Sequence, residues 1–209
     1  MKYYAAFLIL ILCTGCSSLK LTNEELNPDY STFQLKNVLV IGVTPDDNLR
    51  KEFEFKFVRL LNQHNINALQ SAVVFQTYFK DAEQTEAEME EQLELLRSKG
   101  YNTILVTLVR GVDENTSYSG ESVRLDYHLR QFIGYYFMYQ NAAYDNGRYE
   151  DYEVYHLQTS IYYLNSDSDM SLVWEGSYDL INSGETHKMT DKYIKKIFKS
   201  LKKEKLIEK

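Results

Sequence analysis

Cysteine is nearly missing from this sequence. The 209-residue chain has two, Cys13 and Cys16, both close to its start. Everything after residue 16 is therefore without disulfides, thiolate nucleophiles or cysteine zinc sites. Two prolines exclude collagen-like and proline-rich architectures, and no motif recurs at a period that would build a solenoid. No apolar run approaches the ~20 residues of a membrane-spanning helix. A formal charge of -7 removes the basic footprint of a general nucleic-acid binder. The glycines number nine and never gather into a phosphate loop: the Gly42-Val43-Thr44-Pro45-Asp46-Asp47 turn has one glycine and two acids, which repel phosphate. No Gly-x-Ser-x-Gly elbow is present.

Tyrosine is abundant, at 18 residues, and the first sixteen positions are strongly patterned. Met1-Lys2 is a short positive start. Tyr3 to Leu12 is an apolar run of ten, the length of a signal-peptide core rather than a span. The run closes on Leu12-Cys13-Thr14-Gly15-Cys16-Ser17-Ser18. These residues resemble a bacterial lipoprotein signal peptide, whose pattern is an apolar residue, two small residues, then a lipid-modified Cys. Thr14, Gly15 and Cys16 fit, and Cys13 stands where Leu is usual. The resemblance implies removal of 1–15 and acyl chains on Cys16 as a covalent lipid. More than one chain gives stable anchoring to a membrane without crossing it. No Asp follows Cys16, which by the same resemblance implies the outer membrane, periplasmic face, with surface exposure the alternative.

Residues 16–36 are polar with scattered Leu, and read as the lipidated Cys and a flexible tether. Residues 37–209 read as one α/β domain. Val38 to Val43 is a continuous apolar run, the mark of a strand buried on both faces. Asp46 offers an N-cap, and Leu49, Phe53, Phe57, Leu60 and Leu61 recur at helical spacing. Ala68 to Phe75 reads as a second strand. Thr85-Glu86-Ala87-Glu88 is a capping box before Met89, Leu93 and Leu96, and Gly100 is placed as a C-terminal stop. Thr103 to Val109 is a third buried strand. This βαβαβ order makes a parallel sheet with its first strand central. Glu153 to Leu164 alternates Tyr155, Leu157, Thr159, Ile161 and Tyr163 on one face. Leu172, Trp174 and Tyr178 alternate on the next strand, giving an antiparallel hairpin. Thr190, Tyr193, Ile194, Ile197, Phe198 and Leu201 form the apolar face of a closing helix. The expected fold is α/β, βαβαβ-(insertion)-ββα, with a mixed five-stranded sheet and three helices. The strand at 38–43, the Lys99-Gly100-Tyr101-Asn102 entry and the Leu172-Val173-Trp174 strand resemble the small α/β module of the TolB N-terminal domain and of envelope lipoproteins. That resemblance implies a fold and no chemistry.

Sequence spacing offers no catalytic set. His64, His128, His156 and His187 lie far apart, with no i,i+4 pair for a metal. Asn165-Ser166-Asp167-Ser168-Asp169 resembles the first five positions of a calcium loop, but Met170 and Gly176 stand where that loop needs Gly and Glu; a turn accounts for it. Carboxylate pairs such as Glu52/Glu54, Glu90/Glu91 and Glu150/Asp151 read as solvated. Two features remain. The insertion 111–151 is tyrosine-dense, and Tyr135, Tyr136, Tyr139, Tyr144, Tyr149 and Tyr152 have the composition of an adaptable contact surface; strand packing is the alternative. The C-terminal segment from Glu185 carries nine lysines against four acids, either a contact for anionic lipid or a solvated helix face. The sequence reads as a membrane-anchored, non-enzymatic envelope module with no cofactor or metal, meeting an envelope protein or glycan and no nucleic acid. The rival readings are a carbohydrate- or peptide-binding module using the tyrosine loop, and an enzyme with an unrecognised site.

Overall fold

The computed structural model describes residues 19–44, 46–74, 86–113, 154–164, 170–181 and 186–208. The elements run β1 (Leu19–Leu26), a 3-10 turn (Pro28–Tyr30), β2 (Asn37–Val43), α1 (Asp47–Gln63), β3 (Asn67–Gln70), α2 (Ser71–Val74), α3 (Glu86–Ser98), β4 (Thr103–Asp113), β5 (Val154–Leu164), β6 (Met170–Ile181) and α4 (Thr186–Lys203). The strands form one mixed sheet in the order β1-β6-β5-β4-β2-β3. β2 lies between β3 and β4 and is parallel to both. The remaining pairings are antiparallel.

Helices cover the sheet on two sides because β2 is apolar on both. Val38 and Val40 face Phe53, Phe57 and Leu61 of α1, together with Tyr193, Ile194, Ile197 and Leu201 of α4. Leu39 and Ile41 face the other way, onto Leu93 and Leu96 of α3. Asp46 caps α1 by accepting from the N–H groups of Asn48 and Leu49. The chain leaves α3 through Gly100, at φ +83°, where a Cβ would be strained. The central parallel unit, the hairpin and the closing helix thus follow the sequence pattern.

Six strands and four helices replace the expected five and three, for two local reasons. Leu19–Leu26 lies within the segment read as tether, yet it pairs along β6 from Leu19↔Leu180 to Leu26↔Trp174. Only Leu19 of this strand is buried, and Asn23-Glu24-Glu25 interrupts its alternation, so it does not read as a strand without its partner. The second difference is at 68–75. The strand stops at Gln70 and a helical turn begins at Ser71, whose N–H and hydroxyl are both taken by the Glu54 carboxylate. β4 also runs on to Asp113, past the start set for the insertion.

A bulge corrects one face assignment. In β6, Trp174 pairs with Ile161 while Leu172 pairs with Tyr162, leaving Val173 as the extra residue. Trp174 and Tyr178 therefore join the α1/α4 side and Leu172 the α3 side. Trp174, the only tryptophan in the chain, is fully buried. Its ring lies over Gly176: a Cβ there would meet Trp174 ring carbons at 2.6 and 2.8 Å and the Tyr178 hydroxyl at 2.9 Å. Gly176→Ala should therefore destabilise the domain by about 1–3 kcal/mol. The tryptophan emission melt reads this directly. An unshifted midpoint would show that the ring does not depend on that space.

Candidate functional site

Two polar constellations stand out against the apolar layers. The first is at the carboxyl ends of β2 and β3, the edge where open α/β sheets commonly hold their ligands. The stripe of α1 that faces the sheet is 50-53-54-57-61, so Arg50 and Glu54 are drawn inward with the phenylalanines. Glu54 is 1% exposed. Its Oε1 accepts from the Gly42 N–H at 3.0 Å and the Ser71 hydroxyl at 2.7 Å, and its Oε2 accepts from the Ser71 N–H at 3.1 Å. Arg50 donates to Ser71 Oγ at 3.3 Å and to Asp47 at 2.5 Å. Lys51 and Arg50 together hold the Asp47 carboxyl down at about 2. Glu54 moves the other way: burial raises it above the ordinary carboxylate range despite its three donors. The solvated reading of Glu52/Glu54 is thus corrected for Glu54. The helical spacing of 50, 54, 57 and 61 was the signal available in the sequence. Every donor Glu54 meets is backbone or a neighbouring side chain, so it works as a pin joining α1, β2 and the start of α2.

The second constellation lies on β5 and β6, on the side of the sheet shared with α3. His156 Nδ1 meets Asp179 Oδ1 at 2.7 Å, both partly exposed. Two residues on, Gln158 Nε2 donates to Glu175 Oε2 at 2.5 Å and to Ser160 Oγ at 3.1 Å. Gln158, Ser160 and Glu175 are all buried. The carboxylate can only accept, which fixes the Gln158 amide and leaves its Oε1 buried without a partner among the described residues. A histidine, an aspartate and a serine on one strand pair invite a nucleophile reading, but geometry opposes it. Ser160 lies four residues from His156, about 13 Å along the strand. The row offers amide, carboxylate and imidazole hydrogen bonds, and Ser177, opposite Gln158 on the same side, stands two residues from Asp179.

On the α1/α4 side the polar atoms serve packing. Thr107, Thr159 and the Tyr193 hydroxyl form a buried chain with both links at 2.7 Å. Burial pushes the Tyr193 phenol up and the Tyr178 phenol to about 12, so both stay neutral. Tyr162 is core, and Tyr163 packs edge-on against Phe33 at 5.1 Å. The tyrosines from 155 onward that the sheet carries thus behave as strand residues. His64 ends α1 with Nδ1 3.0 Å from the Leu60 carbonyl oxygen. A shallow groove of about 440 Å³ runs along the outer side of α1, lined by Phe55, Val58, Arg59, Asn62, Gln63 and Gln70.

Cys16, Tyr135, Tyr136, Tyr139, Tyr144, Tyr149, Tyr152 and His128 lie outside the described residues, as do the turn at 165–169 and residues 1–15. Among the described residues, no three His, Cys, Asp or Glu side chains converge as a metal site requires. No described helix is long and apolar enough to cross a membrane.

Glu54→Gln would turn an amide N–H toward the Ser71 N–H donor, at a cost of about 1–3 kcal/mol. The raised carboxyl also sets a pH dependence. Glu54 contributes stability that is full below its ordinary value and fades as pH rises through its folded value. The stability advantage of the native chain over Glu54→Gln should therefore shrink from pH 4 toward neutrality. Urea titrations of both proteins across that range measure it; a constant gap would mean the carboxyl is not shifted.

No family model and no curated protein matches the sequence. Solved structures do. The PelC dodecamer from Paraburkholderia phytofirmans is similar at 12% identity and a TM-score of 0.43, over 87% of this chain and 95% of that one. Lipoprotein GNA1162 from Neisseria meningitidis is similar at 14% identity and a TM-score of 0.38, over 79% of this chain and 98% of that one.

Proposed function

We propose that this protein is a lipid-anchored envelope module that binds a partner and performs no chemistry of its own. The observation that carries the proposal is the Leu12-Cys13-Thr14-Gly15-Cys16 sequence after ten apolar residues. A leader of that length is a targeting segment, and Cys16, which follows it, is the only cysteine the processed chain would keep. The non-enzymatic part rests on the described polar groups. Glu54 is consumed by backbone and serine donors, and on β5 Ser160 lies about 13 Å along the strand from His156. The outer membrane is the compartment we assign, since Ser17 rather than Asp follows Cys16.

The partner contact is assigned to the tyrosine-rich segment. It leaves the sheet at Asp113 and re-enters at Val154, and these two residues are cross-strand partners. The sheet therefore does not need the intervening chain to bring β4 and β5 together. Segments inserted between paired strands of a rigid scaffold commonly hold function. An envelope protein is the partner class we favour; a glycan bound by the same tyrosine-rich segment is the alternative.

Two experiments test this reading. Palmitate labelling in cells should mark the native chain and miss Cys16→Ala; label on the variant would refute the anchor. Replacing 114–153 by Asn-Gly gives a two-residue hairpin turn. The shortened chain should keep the native tryptophan emission, while crosslinking in intact envelopes loses its adducts. Adducts that persist would move the contact surface elsewhere, and a chain that fails to fold would make the segment structural.

A further inference from the structure

The strand directions gather the chain's crossing points into two poles. β2, β3, β4 and β6 end at one pole, at Val43, Gln70, Asp113 and Ile181, and β1 and β5 begin there, at Leu19 and Val154. α1 and α4 both start from this pole and run away from it, as Phe53 beside Tyr193 and, further on, His64 beside Phe198 show. At the opposite pole the end of α4 meets the start of β2: Leu35 N–H donates to the Leu206 carbonyl oxygen and Gln34 to that of Lys205.

Leu19 is 3% exposed and paired with Leu180 in the ladder. Only Ser17 and Ser18 separate it from Cys16. Three residue steps span at most about 11 Å. Val73 and Ile181, two of the four exposed large apolar side chains among the described residues, lie at the same pole, at 55% and 49% exposure. They stand near opposite edges of the sheet, on α2 after β3 and at the end of β6.

We infer that this pole faces the bilayer, with Val73 and Ile181 turned toward the headgroup region as two separated apolar feet and the partner of the segment between Asp113 and Val154 met at the membrane surface. The inference depends on the lipid anchor at Cys16 proposed above. It also separates the two ends of the lysine-rich helix, whose first lysines, Lys188 and Lys192, lie at the membrane pole. α4 is 18 residues long, about 27 Å, and its last lysines sit at the far pole. Attraction to anionic lipid decays over a Debye length of about 8 Å at physiological salt. Lys202, Lys203 and Lys205 are therefore held clear of the membrane and presented to the aqueous side, with Lys203 bound to Glu24 at 2.6 Å.

A single introduced thiol tests the orientation, because the processed chain has no other free cysteine. The full-length lipidated protein would carry Val73→Cys, Ile181→Cys or, at the far pole, Lys99→Cys. Each would be labelled with an environment-sensitive dye and reconstituted into phosphatidylethanolamine/phosphatidylglycerol vesicles containing a spin-labelled quencher lipid. Quenching at 73 and 181 should exceed that at 99 several-fold, with native tryptophan emission in all three. Equal quenching at the three sites, or stronger quenching at 99, would overturn the inference while the palmitate label leaves the anchor standing. Absence of the palmitate label would remove the anchor first, and this orientation with it.

Discussion

The burial of β2 on both of its faces is the constraint from which the rest of the architecture follows. A strand reading Val38-Leu39-Val40-Ile41 has no side it can show to water. It must sit inside a sheet, with a neighbour on each edge and a layer of helix above and below. β3 and β4 supply the edges, α1 with α4 one layer, α3 the other. The antiparallel half is mixed: its strands bury one side against α4 and carry on the other a polar row beside the buried Tyr162, Leu164 and Leu172.

That division explains what the sequence discloses. Buried parallel strands and amphipathic helices leave continuous or 3.6-period apolar patterns, and β2, β4, α1 and α4 follow theirs closely. β1 left no such pattern, because an edge strand takes its hydrogen bonds from a neighbour and needs few apolar contacts of its own. The Val173 bulge is invisible for a related reason. One extra residue changes which side every earlier side chain of the strand faces, while the local alternation reads the same.

Glu54 shows the limit for polar sites. Its position on the inner stripe of α1 is written in the spacing, but its donors are not: two of the three are backbone or side-chain groups of a serine seventeen residues away. The β5–β6 row is similar. Gln158 and Glu175 stand on two different strands and meet across a ladder, so only the register brings them together. The anchor motif behaves oppositely, since a linear signal is read as a string before any folding occurs.

β1 has one further property. Any tension on the chain before Leu19 enters this strand along its axis. Seven pairings with β6 run from Leu19 to Leu26, and the Lys203–Glu24 ion pair clasps the strand's inner half to the last helix. A load in that direction is shared by the pairings as shear, all resisting together, instead of opening them singly as a zipper. β1 is thus arranged as a mechanical coupling, able to hold when the molecule is pulled from the side opposite its entry point.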